Sequence, residues 1–150
     1  MDNIEKIMRQ ISQKTGVRCG PAKPDELETL RELGFPPKVI EFYERFIPED
    51  AIEIGPCILT IHDIRRMCLY DRDPVSTAAF GASLLPFGED MSGDLLCFDP
   101  DRLDDEGWPL VVTVSHEVVD EDSTPEEVRQ GAEEYCKNLP ELLKRMVSGE

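Results

Sequence analysis

No run in this sequence stays apolar for the roughly 18 residues that would span a bilayer. The first residues, Met1-Asp2-Asn3-Ile4-Glu5-Lys6, lack the basic start and apolar stretch of a signal peptide. The expectation is a protein made and kept in the cytoplasm, with no membrane contact. None of the five cysteines, Cys19, Cys57, Cys68, Cys97 and Cys136, forms a CxxC pair, so the usual zinc spacing is missing. An odd number at scattered positions is also a poor disulfide framework. Apolar flanks such as Leu96 and Phe98 around Cys97 suit reduced cysteines acting as small hydrophobes.

Catalytic signatures are equally scarce. There is no nucleophile elbow, no phosphate-cradling glycine loop and no metal-spaced histidine pair. The two histidines, His62 and His116, have acidic neighbours in Asp63 and Glu117. Neighbours on a strand point to opposite faces, so adjacency does not make a dyad. Asp99, Asp101, Asp104 and Asp105 invite a calcium reading. Counted from Asp99, however, the EF-hand pattern places Asp104 where glycine is needed and Leu110 where glutamate is needed. The chain therefore reads as non-catalytic, with no metal and no cofactor. A metal-assisted hydrolase using Asp99 and His116 is the minor alternative.

What the chain does have is acid. Its 150 residues carry 32 Asp and Glu against 16 Lys and Arg, a net charge of −16. Such a surface repels nucleic acid and anionic membranes and attracts basic proteins. The charge is concentrated. From Glu89 to Glu127 there are fourteen acids and a single base, Arg102. The candidate partner-binding residues are Glu89, Asp90, Asp94, Asp99, Asp101, Asp104, Asp105, Glu106, Glu117, Asp120, Glu121 and Asp122, with Trp108 beside them. Solvation and protection of sheet edges are the plainer uses for these acids. For Trp108, core packing and a contact anchor are balanced readings.

The pattern of apolar residues gives the architecture. Ile4, Ile7, Met8 and Ile11 make one helical stripe. Pro24 opens a second helix with Leu27, Leu30 and Leu33 buried and Gly34 as its left-handed cap. A third helix carries Val39, Ile40, Phe42, Tyr43 and Phe46 and stops at Pro48. Segments 52–54, 58–61, 84–87, 94–98 and 110–116 read as strands of an antiparallel meander. A short helix is predicted over 62–70, loops over 71–83 and 99–109, and a turn over 89–93. The final helix starts at the Thr124-Pro125-Glu126-Glu127 capping box and runs on to Leu139, with a kink or restart at Pro140. The fold class is α+β: N-terminal helices, a mostly antiparallel sheet and a C-terminal helix packed on it, in one domain over 1–150.

The order of segments resembles the SUKH superfamily, which includes bacterial toxin-immunity proteins and fungal regulators of cell-wall synthesis. The resemblance runs from about Leu33 to the last helix. It rests on Leu33-Gly34-Phe35-Pro36-Pro37 leading into Ile40-Glu41-Phe42-Tyr43, then Gly55-Pro56-Cys57-Ile58-Leu59. It continues through Leu85-Pro86-Phe87-Gly88-Glu89-Asp90 and Ser92-Gly93-Asp94-Leu95-Leu96-Cys97-Phe98-Asp99, and ends in the valine-rich strand before His116-Glu117. Gly88 and Gly93 suit the positive φ of a hairpin turn. One departure is Phe46-Ile47-Pro48-Glu49-Asp50, where family members often carry an asparagine-glycine pair. The resemblance implies a binding role: an immunity protein that occupies the basic surface of a cognate toxin, such as a nuclease. A general scaffold that binds cellular proteins is the alternative.

Overall fold

The computed structural model describes residues 2–54, 59–61, 74–90, 92–120 and 122–149. Helix α1 (Asp2–Thr15) forms on the predicted stripe, and Ile4, Ile7, Met8 and Ile11 are all buried. Helix α2 (Pro24–Glu32) opens with proline in its first turn, where a missing N–H costs nothing. Its entry is fixed by the Lys23 N–H donating to Glu26 Oε1 at 2.9 Å. It ends at Gly34, which has φ +91° as the sequence requires. Helix α3 (Pro37–Tyr43) buries Val39, Ile40, Phe42 and Tyr43. Between these helices a two-stranded antiparallel pair forms from β1 (Cys19–Gly20) and β2 (Ile47–Pro48). Two residues each are too few to leave an apolar alternation, so the sequence gives no sign of it.

The main sheet has six strands, all antiparallel and in chain order. They are β3 (Ile52–Ile54), β4 (Leu59–Ile61), β5 (Leu85–Asp90), β6 (Leu95–Leu103), β7 (Pro109–Val114) and β8 (Glu133–Cys136). The α+β meander is thus the observed fold; α3 ends at Tyr43 rather than at Pro48, β5 runs to Asp90 through part of the expected turn, and three larger differences follow. Segment 74–81 is a helix, α4 (Pro74–Gly81), rather than part of a loop. Its buried residues, Ser76 and Ala79, are small, as is Ala82 just after it, so it packs close to β5 and β6. Residues 99–103 continue β6 instead of starting a loop, because Asp99 stays paired with Leu110 and Leu103 with Pro109 across an irregular register.

The third difference is at the C-terminus. The single helix is replaced by α5 (Pro125–Gly131), strand β8 and α6 (Leu139–Ser148). Gly131 weakens the helix there, and Ala132 takes an extended conformation. The open backbone edge of β7 then recruits 133–136, pairing Val111 with Cys136 and Thr113 with Glu133. Edge pairing wins over the helical spacing of Val128, Ala132 and Tyr135. The chain restarts as a helix at Leu139, with Pro140 in its first turn, capped by Asn138 Oδ1, which accepts from the Glu141 N–H at 3.0 Å. The helix predicted over 62–70, with Cys57 and Cys68, lies outside the described residues.

Both faces of the sheet are covered. Phe98 stacks on Phe87 at 4.0 Å between ring centroids and meets Phe35, from the α2–α3 connection, edge-on at 6.3 Å. Asp99 points to the opposite face and meets Arg129 of α5. Helix α6 packs on α1, β7 and β8, and Lys14 Nζ donates to the Val147 carbonyl at 2.8 Å. Cys97 and Cys136 are buried in the core, and burial pushes the Cys19 thiol up to about 11, against the smaller lowering by its hydrogen bond with Ser12. Phe98→Ala removes the ring that joins three segments and should cost about 3–5 kcal/mol of unfolding free energy, measured by denaturant titration.

Candidate partner-binding surface

The β5–β6 hairpin is closed by acids. Asp90 Oδ1 accepts from the N–H groups of Ser92 and Asp94, each at 3.0 Å, and from Ser92 Oγ at 2.7 Å. Gly93 has φ +90°, and a Cβ there would stand 3.4 Å from the His116 ring. Any other residue would meet both strain and that ring. Gly88, the other expected turn glycine, instead lies within β5, paired with Leu96 beside a register shift. Asp94 Oδ1 is 3.0 Å from His116 Nδ1 and also accepts from the His116 N–H at 3.4 Å. His116 therefore ties the end of β7 to the hairpin turn.

Asp99 is not at the surface. Its side chain is 1% exposed and meets Arg102 Nε at 2.8 Å and an Arg129 guanidinium nitrogen at 3.5 Å. Burial raises its pKa. The hydrogen bond from Arg102, the Asp101 N–H and the charges of Arg129 and Arg102 more than reverse this, and the carboxyl is held below the usual aspartate range. Arg129 does more than neutralise it. Its Nε donates to the Ala82 carbonyl at 2.7 Å, and its terminal nitrogens reach the Ser83 carbonyl at 3.3 Å and Asp101 Oδ2 at 3.2 Å. Ser83 has φ +62°, a costly conformation for a non-glycine residue. One side chain thus binds α5, the end of α4 and β6 together. The sequence offers Arg129 only as a charge on an exposed helix, and nothing in its spacing reveals the role.

Of the two balanced readings for Trp108 the core one holds, since it is 2% exposed, and its place among the candidate partner-binding residues is corrected. Its N–H donates to Asp104 Oδ1 at 2.9 Å, as does the Glu106 N–H. Asp104 Oδ2 accepts from Asn138 Nδ2 at 2.8 Å, joining this loop to the start of α6. Burial raises the Asp104 pKa, but the hydrogen bonds from Asn138, Trp108, Glu106 and Gly107 outweigh it and hold the carboxyl below the usual range. Asp105 and Glu106 are exposed and enter no ion pair among the described residues.

In the connection after β7, Asp120 Oδ1 accepts from the Asp122 N–H at 2.9 Å, and Ser115 Oγ accepts from the Glu117 N–H at 3.2 Å. Val119 is buried and anchors this loop, while Val118 stands 70% exposed. The carboxylates of Glu117 and Asp122 make no hydrogen bond or ion pair among the described residues. Glu121 lies outside the described residues. Further on, Glu127 is spent on the capping box, accepting from the Thr124 N–H at 3.0 Å.

Strand direction divides the acids into two groups. Glu89, Asp90, Asp94, Glu117, Asp120 and Asp122 lie at the end of the sheet where β5 and β7 finish. Asp101, in the last part of β6, and Asp104, Asp105 and Glu106, beyond it, lie at the other end. The nine residues of β6 separate the ends by roughly 25 Å at strand rise. Exposed charges are screened over about 8–10 Å at ordinary ionic strength. The acidic block is therefore two surfaces, not the one that the sequence suggests. Among the described residues, no group of three or more His, Cys, Asp or Glu is placed to hold a metal ion. No described helix is long and apolar enough to cross a membrane. Comparison with protein-family models and with curated proteins finds no match.

Two outcomes test this geometry. Arg129→Met should lower stability by about 2–3 kcal/mol, because it leaves Asp99 short of a partner and two carbonyls without donors. Asp99 and Asp104 have folded pKa values below the unfolded value of about 3.9. Their stabilisation is present above that pH and is lost as pH falls through the folded values. Acid unfolding followed by circular dichroism should start below about pH 4, and Asp99→Asn should flatten that limb of the curve.

Proposed function

We propose that this chain is a non-catalytic, cytoplasmic binding protein of the SUKH type, acting as an immunity protein against a cognate basic toxin. The observation that carries the reading is the acidic end built from the β5–β6 turn and the loop after β7. There Asp90, Asp94, Glu117, Asp120 and Asp122 enter no ion pair with lysine or arginine among the described residues. The turn and loop are held in place by Asp90, by the Asp94–His116 contact and by buried Val119. Carboxylates on a fixed frame lose little freedom when a partner arrives. Exposed Val118 adds an apolar contact among them.

A nuclease must hold phosphate, so its working surface is basic. Acids at fixed positions can occupy that surface and speed association about 10–10³-fold by steering. Nothing in this reading uses Asp99, Asp104 or Trp108, whose side chains serve the fold. Co-expression with the toxin encoded beside this gene should protect cells, and the purified pair should associate more slowly as salt rises. A tenfold loss of association rate for the Glu117→Gln, Asp122→Asn double variant, with little change in thermal stability, is the expected result. If no product of a neighbouring gene binds, the immunity reading fails; binding insensitive to salt favours a scaffold instead.

A further inference from the structure

A second surface lies on the N-terminal helices, away from the acidic turn. An open groove of about 430 Å³ runs between α2 and α3, lined by Arg31, Phe35, Pro37, Ile40, Glu41 and Glu44. That volume falls within the range of about 300–1,000 Å³ common for ligand clefts. Pro37, Ile40, Glu41 and Glu44 follow helical i, i+3, i+4, i+7 spacing, so α3 offers one continuous stripe to it. The floor is firm: Phe35 is braced from behind by Phe98, and Ile40 is part of the core. The rim is mostly acidic. Glu41 is exposed and in no ion pair among the described residues, while Glu44 meets Arg31 only at 3.6 Å with both side chains about half exposed. An exposed pair of this kind is readily exchanged for another.

The one base of α3, Lys38, is turned to a neighbouring loop. Lys38, next on α3, lies with its Nζ 6.0 Å from the centre of the Trp108 ring, and its stem would be 3.4 Å from a Cβ at Gly107. The α3 helix is therefore seated against the loop that carries exposed Asp105 and Glu106.

We propose that this groove docks a segment of a partner protein that carries one large apolar side chain flanked by lysine or arginine. The apolar side chain lies over Phe35, Pro37 and Ile40. Its basic neighbours meet Glu41 and Glu44, one of them displacing Arg31. The inference rests on the basic-partner reading for the sign of the partner's charge, but not for the site.

The test is a nuclear magnetic resonance titration of the full chain with three short synthetic peptides. One carries tryptophan between lysine and arginine residues; one replaces that tryptophan with alanine; one replaces the bases with glutamate. The basic tryptophan peptide should shift the Phe35 and Ile40 signals, the alanine peptide should leave them in place, and the glutamate peptide should not bind. Glu41→Lys, a change at an exposed side chain outside the core, should weaken the tryptophan peptide about threefold or more. If the two basic peptides behave alike, or Glu41→Lys has no effect, the groove proposal is overturned while charge-led binding at the acidic turn stands. If no basic peptide shifts any signal, the groove proposal is overturned, while the immunity reading is decided separately by binding of the neighbouring gene's product.

Discussion

The buried carboxylate of Asp99 is the constraint on which the rest of this structure turns. A charge at 1% exposure is costly unless it is met by opposite charge and hydrogen bonds. Arg102 supplies one partner from the same strand, and Arg129 supplies another from α5. To reach Asp99, Arg129 must cross the end of α4, where it also holds the Ala82 and Ser83 carbonyls. The position of α5, the strained turn at Ser83 and the outer part of β6 are thus fixed by one guanidinium group. The opposite face needs no such device, because Phe87, Phe98 and Phe35 pack there by burial alone.

Much of this architecture is written in the apolar pattern. The stripe of α1, the proline openings of α2 and α3, and the strands around Leu95 and Val111 fall where side-chain periodicity places them. What the pattern hides is what tertiary contact decides. Helix α4 presents small residues to a sheet, and these give no amphipathic signal. Strand β8 forms because β7 has an open edge, although helical spacing and good helix formers run through Glu133 and Glu134. The reach of β6 past Asp99 follows from its pairing with Leu110 and Pro109 on β7, and the buried Asp99 is met by a residue thirty positions away.

The same distinction applies to the acids. Sequence shows a dense block, but it cannot sort carboxylates that fold the chain from those that face water. Asp90 closes a hairpin, Asp99 is buried between arginines, Asp104 organises a loop around Trp108, and Glu127 caps a helix. Glu117, Asp122, Asp105 and Glu106 are in no ion pair among the described residues and are shared between opposite ends of the sheet. A partner drawn by charge meets a small number of fixed carboxylates, not a diffuse cloud. Arg129, to which the apolar pattern of the sequence gives no clue, is what keeps Asp99 and Asp101 on the fold-holding side of this division.

The most direct test of that sorting is a site-resolved carboxyl titration by carbon-13 nuclear magnetic resonance. Asp99 and Asp104 should titrate below the usual aspartate range, and their protonation should coincide with loss of the native amide spectrum. If both titrate at ordinary aspartate values while the native spectrum persists, the division of the acidic block into fold-holding and solvent-facing carboxylates is contradicted.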